Sequence, residues 1–139
     1  MSTQNSLYTN DLPLNEANLF TLKAFLLFDE TEAIKHNATK ANLAQLLKMV
    51  IDEKLITQDI DRMKAAHAAS DWDKVQQLAH KIKGGAVYIG TTRMKMACQY
   101  LERYWKVGER QHLEALYQQV LVVVDDTLNT LRSWLETQS

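Results

Sequence analysis

Apolar residues recur at three- and four-residue spacing along most of this chain, the period of a helix that buries one face. The clearest run is Val75, Leu78, Ala79, Ile82, Ala86 and Ile89, one stripe that predicts a helix from a cap at Ser70-Asp71 to about Ile89. Asp71 and Asp73 put negative charge where the helix dipole favours it. Gly90 suits the left-handed position that follows a helix. Thr91 or Thr92 then caps another helix, with Met94, Cys98, Leu101 and Trp105 as its stripe and Gly108 as its close. A last helix is predicted from about Arg110 to Glu136 on Leu113, Leu116, Val120, Val123 or Val124, Thr127, Leu131 and Trp134.

From Thr39 to Ala69 there is neither proline nor glycine, and the pattern is helical. Leu43, Leu46, Leu47 and Val50 share one face, whereas Ile56, Ile60, Met63 and His67 share another, rotated by roughly 120° at the standard helical step. Two readings fit: a break near Lys54 to Thr57, or one long, kinked helix that meets different partners at its ends. The long helix is the expectation here. Upstream, Asp29 followed by Glu32 resembles a capping box and predicts a short helix over 30–36. Leu19, Leu22, Phe25, Leu26 and Phe28 make either a short amphipathic helix or an apolar strap, after a polar stretch that ends at Pro13. Short connections favour antiparallel neighbours. The expected fold is therefore all-α, an antiparallel up-and-down four-helix bundle over 29–139 with additional short N-terminal helix or helices, preceded by a lead-in or linker over 1–28.

The helix over 71–89 also carries the candidate chemistry. His80 lies roughly 140° from the middle of its apolar stripe and so points to water. Lys83 and Gly84, three and four residues on, flank whatever approaches the imidazole, and Lys83 reads as an exposed cation. A glycine inside a helix costs about 1 kcal/mol relative to alanine. Two in succession, Gly84 and Gly85, beside an exposed histidine suggest a face kept bare for a partner. The rival reading ends the helix at Lys83 and passes to a short strand over 86–89; the stripe continuing through Ala86 and Ile89 argues against it.

His80, Lys83 and Gly84 form H-x-x-K-G, with Gly90 ten residues after the histidine and Cys98 and Leu101-Glu102 in the next helix. On these residues the chain resembles the histidine-containing phosphotransfer (HPt) domain, most closely from about Asp71 to Gly108. Gly85 departs from the family's pattern, where a small residue with a Cβ is commoner. The resemblance implies that His80 is a phosphoacceptor, taking a phosphoryl group from the aspartyl phosphate of a receiver domain and passing it to another receiver aspartate. It implies further that Lys83 gives charge support, that Gly84 gives the partner steric access, and that Mg is held by the receiver rather than by this chain. Expected partners are response regulator receiver domains and a hybrid sensor histidine kinase, as a free-standing protein or as that kinase's C-terminal module. The competing class is a non-catalytic helical-bundle adaptor.

Composition narrows the alternatives. At 139 residues, 46% hydrophobic and 24% charged, the chain is long enough for one domain with a real core. Four glycines and one proline are too few turn residues for a many-stranded protein. With 16 basic and 17 acidic side chains, nothing points to nucleic acid or to a membrane surface. The longest apolar run, Val120 to Val124, is far too short to span a bilayer, and the polar opening does not read as a signal peptide. With the single Cys98 read as core filler, a cytoplasmic protein is expected. There is no G-x-x-x-x-G-K-[ST] and no glycine-rich lid, so an ATP-dependent autokinase is not expected. Arg93, Lys95, Arg103 and Lys106 could form a basic patch for an acidic partner, although a plain solvated face is the stronger reading.

Overall fold

The computed structural model describes residues 12–138, and among them there are helices and no strand. Six α-helices follow one another: α1 Glu30–Asn37, α2 Lys40–Asp52, α3 Leu55–Ala68, α4 Trp72–Tyr88, α5 Thr92–Lys106 and α6 Leu113–Glu136. The polar opening over 1–11 lies outside the described residues.

The anticipated caps have a direct basis in side-chain hydrogen bonds. Asp29 accepts from the Glu32 N–H at the start of α1, and Asp71 accepts from the Lys74 N–H at the start of α4. Each satisfies a backbone donor that the helix leaves unpaired. Thr91 stands at the cap position of α5, but its hydroxyl donates back to the Ala86 carbonyl and makes no cap bond. The last helix starts at Leu113 rather than near Arg110, because residues before it make a turn in which the Leu113 N–H bonds the Arg110 carbonyl.

One expectation is corrected. The segment over 39–69 is not a single long helix: it breaks at Glu53 and Lys54, where Lys54 takes the left-handed conformation at φ 55°. The cause lies in the two out-of-phase stripes. One left-handed residue re-phases the helix, so that Leu43 and Leu47 of α2 and Ile60, Met63 and Ala66 of α3 all reach the same core. Burying both stripes outweighs the cost of a non-glycine residue in that region, about 1–3 kcal/mol.

Together α2 and α3 make one edge of the bundle. Lys40 at the start of α2 sits over Trp134 near the end of α6, and His67 near the end of α3 stacks on Tyr117 near the start of α6. This edge therefore runs antiparallel to α6, and α4 and α5 complete the up-and-down order, packing on α3 and α6 respectively and on each other. The core between them is filled by Leu43, Leu47, Met63, Val75, Met94, Leu101, Leu116 and Leu131. Within α5 the deepest aromatic is Tyr104, whereas the expected stripe residue Trp105 is only partly buried and carries the Arg110 guanidinium on its ring at 3.6 Å.

Residues 12–28 form the strap, with 3-10 turns at Glu16–Phe20 and Leu22–Ala24. Leu12, Leu19 and Leu22 are buried. Gln119 of α6 donates to the Leu19 carbonyl, while Arg93 of α5 donates its Nε–H to the Phe25 carbonyl and its backbone N–H to that of Leu26. Arg93 is thus a clamp on the strap rather than part of a free basic patch.

Candidate functional site

The apolar face of α4 fixes where its polar face points. Val75, Leu78, Ala79, Ile82 and Ala86 are buried, and this leaves the His80 side chain 63% exposed near the middle of the helix. Gly84 and Gly85 lie one turn further on, and a Cβ built on either would meet no atom within 4 Å. The surface beside the imidazole is open.

The ring is held from below by a residue whose role the sequence left unassigned. Glu102 of α5 is fully buried, and its Oε2 lies 2.9 Å from His80 Nδ1. The same carboxylate accepts from Lys83 Nζ on Oε1 and from Lys106 Nζ on Oε2, each at 2.8 Å. A buried carboxylate is tolerated only when paired and hydrogen-bonded, and here three donors from two helices meet that need. Glu102 had two sequence signals: it belongs to the Leu101-Glu102 pair that carries the family resemblance, and it follows a core residue one turn after buried Cys98 and one turn before Lys106, a charge at the edge of an apolar stripe.

Burial pushes the Glu102 carboxyl up, but the hydrogen bonds and charges of Lys106 and Lys83 outweigh it and bring it down from 4.5 to about 2. Glu102 is therefore an anion that only accepts, and Nδ1 of His80 must carry the shared proton. The lone pair of the neutral ring is left on Nε2, on the exposed side. Cys98, beneath the cluster, moves the other way: burial chiefly drives its thiol up to about 12, with Lys83 opposing and Glu102 adding. It is a neutral core side chain.

A pH dependence follows. The folded-state value of Glu102 lies below its ordinary one, so its contribution to stability is complete above about pH 4.5 and is lost as pH falls through about 2. A shift of that size corresponds to about 3 kcal/mol. Denaturant melts at stepped pH should show wild-type stability falling across this window, and the Glu102→Gln variant should fall less steeply. Equal slopes would mean that other carboxylates control acid unfolding.

The expected exposure of Lys83 is corrected. Its side chain is only 15% exposed, because its four-carbon stem lies along the α4–α5 interface and delivers the ammonium to Glu102. The basic patch weighed over Arg93, Lys95, Arg103 and Lys106 does not form as a unit, since Arg93 clamps the strap and Lys106 reaches Glu102. The other histidines have separate neighbours: His36 meets the edge of Tyr88, His67 stacks on Tyr117 and pairs with Glu114, and His112 lies 3.7 Å from Glu16. Among the described residues, no group of three or more His, Cys, Asp or Glu side chains is arranged to hold a metal ion. Nor is any helix among them long and apolar enough to cross a membrane.

Comparison with known proteins identifies the family. The family model of the Hpt domain matches residues 45–134, from α2 almost to the end of α6. The chain is 29% identical over 104 residues to the virulence sensor protein BvgS of Bordetella parapertussis, covering 71% of this chain and 8% of that protein. It is 30% identical over 91 residues to the sensor histidine kinase GacS of Pseudomonas protegens, covering 65% of this chain and 10% of that protein. The chain thus spans no more than a tenth of the length of these relatives. No solved structure matches it.

Proposed function

The chain belongs to the Hpt domain family, and from that premise we propose that it is a phosphorelay intermediate whose His80 accepts a phosphoryl group from a receiver domain's aspartyl phosphate and passes it to another receiver's aspartate. The observation that carries this reading is the Glu102 carboxylate on Nδ1, which leaves Nε2 as an exposed nucleophile. The Nε2 lone pair forms the N–P bond as the aspartyl P–O bond breaks, and the departing carboxylate keeps that electron pair. Positive charge then develops on the ring, and Glu102 stabilises it through the Nδ1 proton, as a buried carboxylate does for a catalytic imidazole elsewhere. Transfer onward is the reverse of this step. Mg and the carboxylates that hold it belong to the receiver.

Access for such a partner is supported by the open surface at Gly84 and Gly85. Beside it lies an apolar groove of about 450 Å³ between α2, α3 and α4, lined in part by Leu46, Ile56, Ile82, Gly85 and Tyr88. The relatives, a virulence sensor protein and a sensor histidine kinase, support a place in signal transduction. They also make a sensor kinase a natural partner.

The direct test incubates the purified chain with phosphorylated receiver domains and follows label. Rapid transfer to an acid-labile, base-stable linkage is expected, with no label from ATP alone. Label acquired from ATP alone, or from none of the receivers of the source organism, would remove the reading.

Gly84 separates stability from function. It lies inside α4 with open space where a Cβ would go, so Gly84→Ala should stabilise the fold by about 1 kcal/mol. Gly84→Gln should also fold. Both should slow transfer, glutamine more, because the added side chain stands in the receiver's path to His80. Unchanged transfer kinetics in Gly84→Gln would show that the bare face does not serve docking.

A further inference from the structure

Glu102 is one negative charge, yet two ammonium groups and an imidazole N–H converge on it. One cation would neutralise the carboxylate. The second leaves a net positive charge beside His80, and the two lysines hold it under different constraints. Lys83 occupies Oε1 and is almost enclosed, whereas Lys106 comes from α5, shares Oε2 with the histidine, and leaves its side chain 46% exposed. Both His80 Nδ1 and Lys106 Nζ bond that one oxygen, so the ammonium stands no more than about 6 Å from the ring nitrogen.

We propose that Lys106 is a further functional residue of the site, the cation that leaves Glu102 to bind the phosphoryl group on His80. The inference rests on the phosphoacceptor reading of His80 and adds a residue to it. Phosphorylation would bring nearly two negative charges to a site that has one positive charge to spare. Lys83 cannot answer that charge without abandoning a buried carboxylate. Lys106 can, because Glu102 keeps Lys83 on one oxygen and the ring N–H on the other when Lys106 moves away. Its flexible stem allows the ammonium to swing between the two anions. At this separation and partial exposure, an added unit charge shifts an equilibrium by about three- to tenfold.

The test compares wild type with Lys106→Gln and Lys106→Arg by two readouts: partition of label between a phosphorylated receiver and this protein, and the lifetime of the isolated phosphoprotein. Lys106→Gln should shift partition toward the receiver and shorten the lifetime by about three- to tenfold, while Lys106→Arg should restore both. Melting temperature should fall only modestly, since Lys106 helps to keep Glu102 ionised but the carboxylate retains two donors without it. The loss should shrink at high salt, where wild type itself approaches the variant. Wild-type partition and lifetime in Lys106→Gln would overturn this inference alone, provided that wild type takes label on His80. A large fall in melting temperature for Lys106→Gln would also overturn it, since the lysine would then serve the burial of Glu102. If wild type never takes label, the phosphoacceptor reading itself has failed.

Discussion

His80→Gln should abolish phosphoryl acceptance while leaving the bundle folded. The His80 side chain is mostly exposed and contributes no volume to the core, so the substitution should change stability by no more than about 1 kcal/mol. A glutamine amide N–H can take over the hydrogen bond to Glu102, which keeps the buried carboxylate paired. What it lacks is a nucleophilic nitrogen, because the amide lone pair is delocalised into the carbonyl. Label from a phosphorylated receiver should fall to background, with helical content by circular dichroism and melting temperature close to wild type. Label persisting on His80→Gln would move the acceptor elsewhere, with His36, the other well-exposed histidine, as the first place to look.

Gly90→Ala should cause the largest loss of stability among alanine substitutions at the four glycines. Gly90 sits between α4 and α5 at φ 66°, a conformation that costs any residue with a Cβ. Space is the second difficulty. An added Cβ would drive into the backbone carbonyl of Asp29 and come within 2.9 Å of the Ala33 Cβ. Neither neighbour can yield easily, since the Asp29 N–H donates to the Gly90 carbonyl at 2.7 Å and the Asp29 carboxylate caps α1. A destabilisation of about 2–4 kcal/mol is expected, lowering the melting temperature by roughly 10 °C. Gly108→Ala is the control. It shares the positive φ, at 91°, but has nothing within 4 Å of the new Cβ, so it should cost clearly less. Equal losses at the two positions would show that the contact between α1 and the α4–α5 turn does not constrain Gly90.

Gly90 marks the boundary between what local sequence tells and what packing adds. Its left-handed role after a helix is a local fact, read from a glycine at the end of an apolar stripe. That α1 is docked on it, sixty residues back along the chain, has no local signature. The break at Lys54 is similar. The two stripes on either side were visibly out of phase, but lysine is no helix breaker. A kinked helix and a left-handed interruption give the same pattern until both faces have to reach one core.

For this protein the sequence by itself determined the all-helical class, the helix that carries His80, the water-facing direction of that histidine and the bareness of Gly84. Each depends only on the 3.6-residue period within a single helix. Tertiary structure alone decided the partners: that Lys83 turns inward, that Glu102 is buried and holds Nδ1, and that Lys106 reaches the same oxygen. Charge at a position ordinarily predicts exposure, because an unpaired ion is costly to bury. That rule reverses only where cations from two helices meet one carboxylate, and the register between α4 and α5 that brings them together is set by how the two apolar faces interlock.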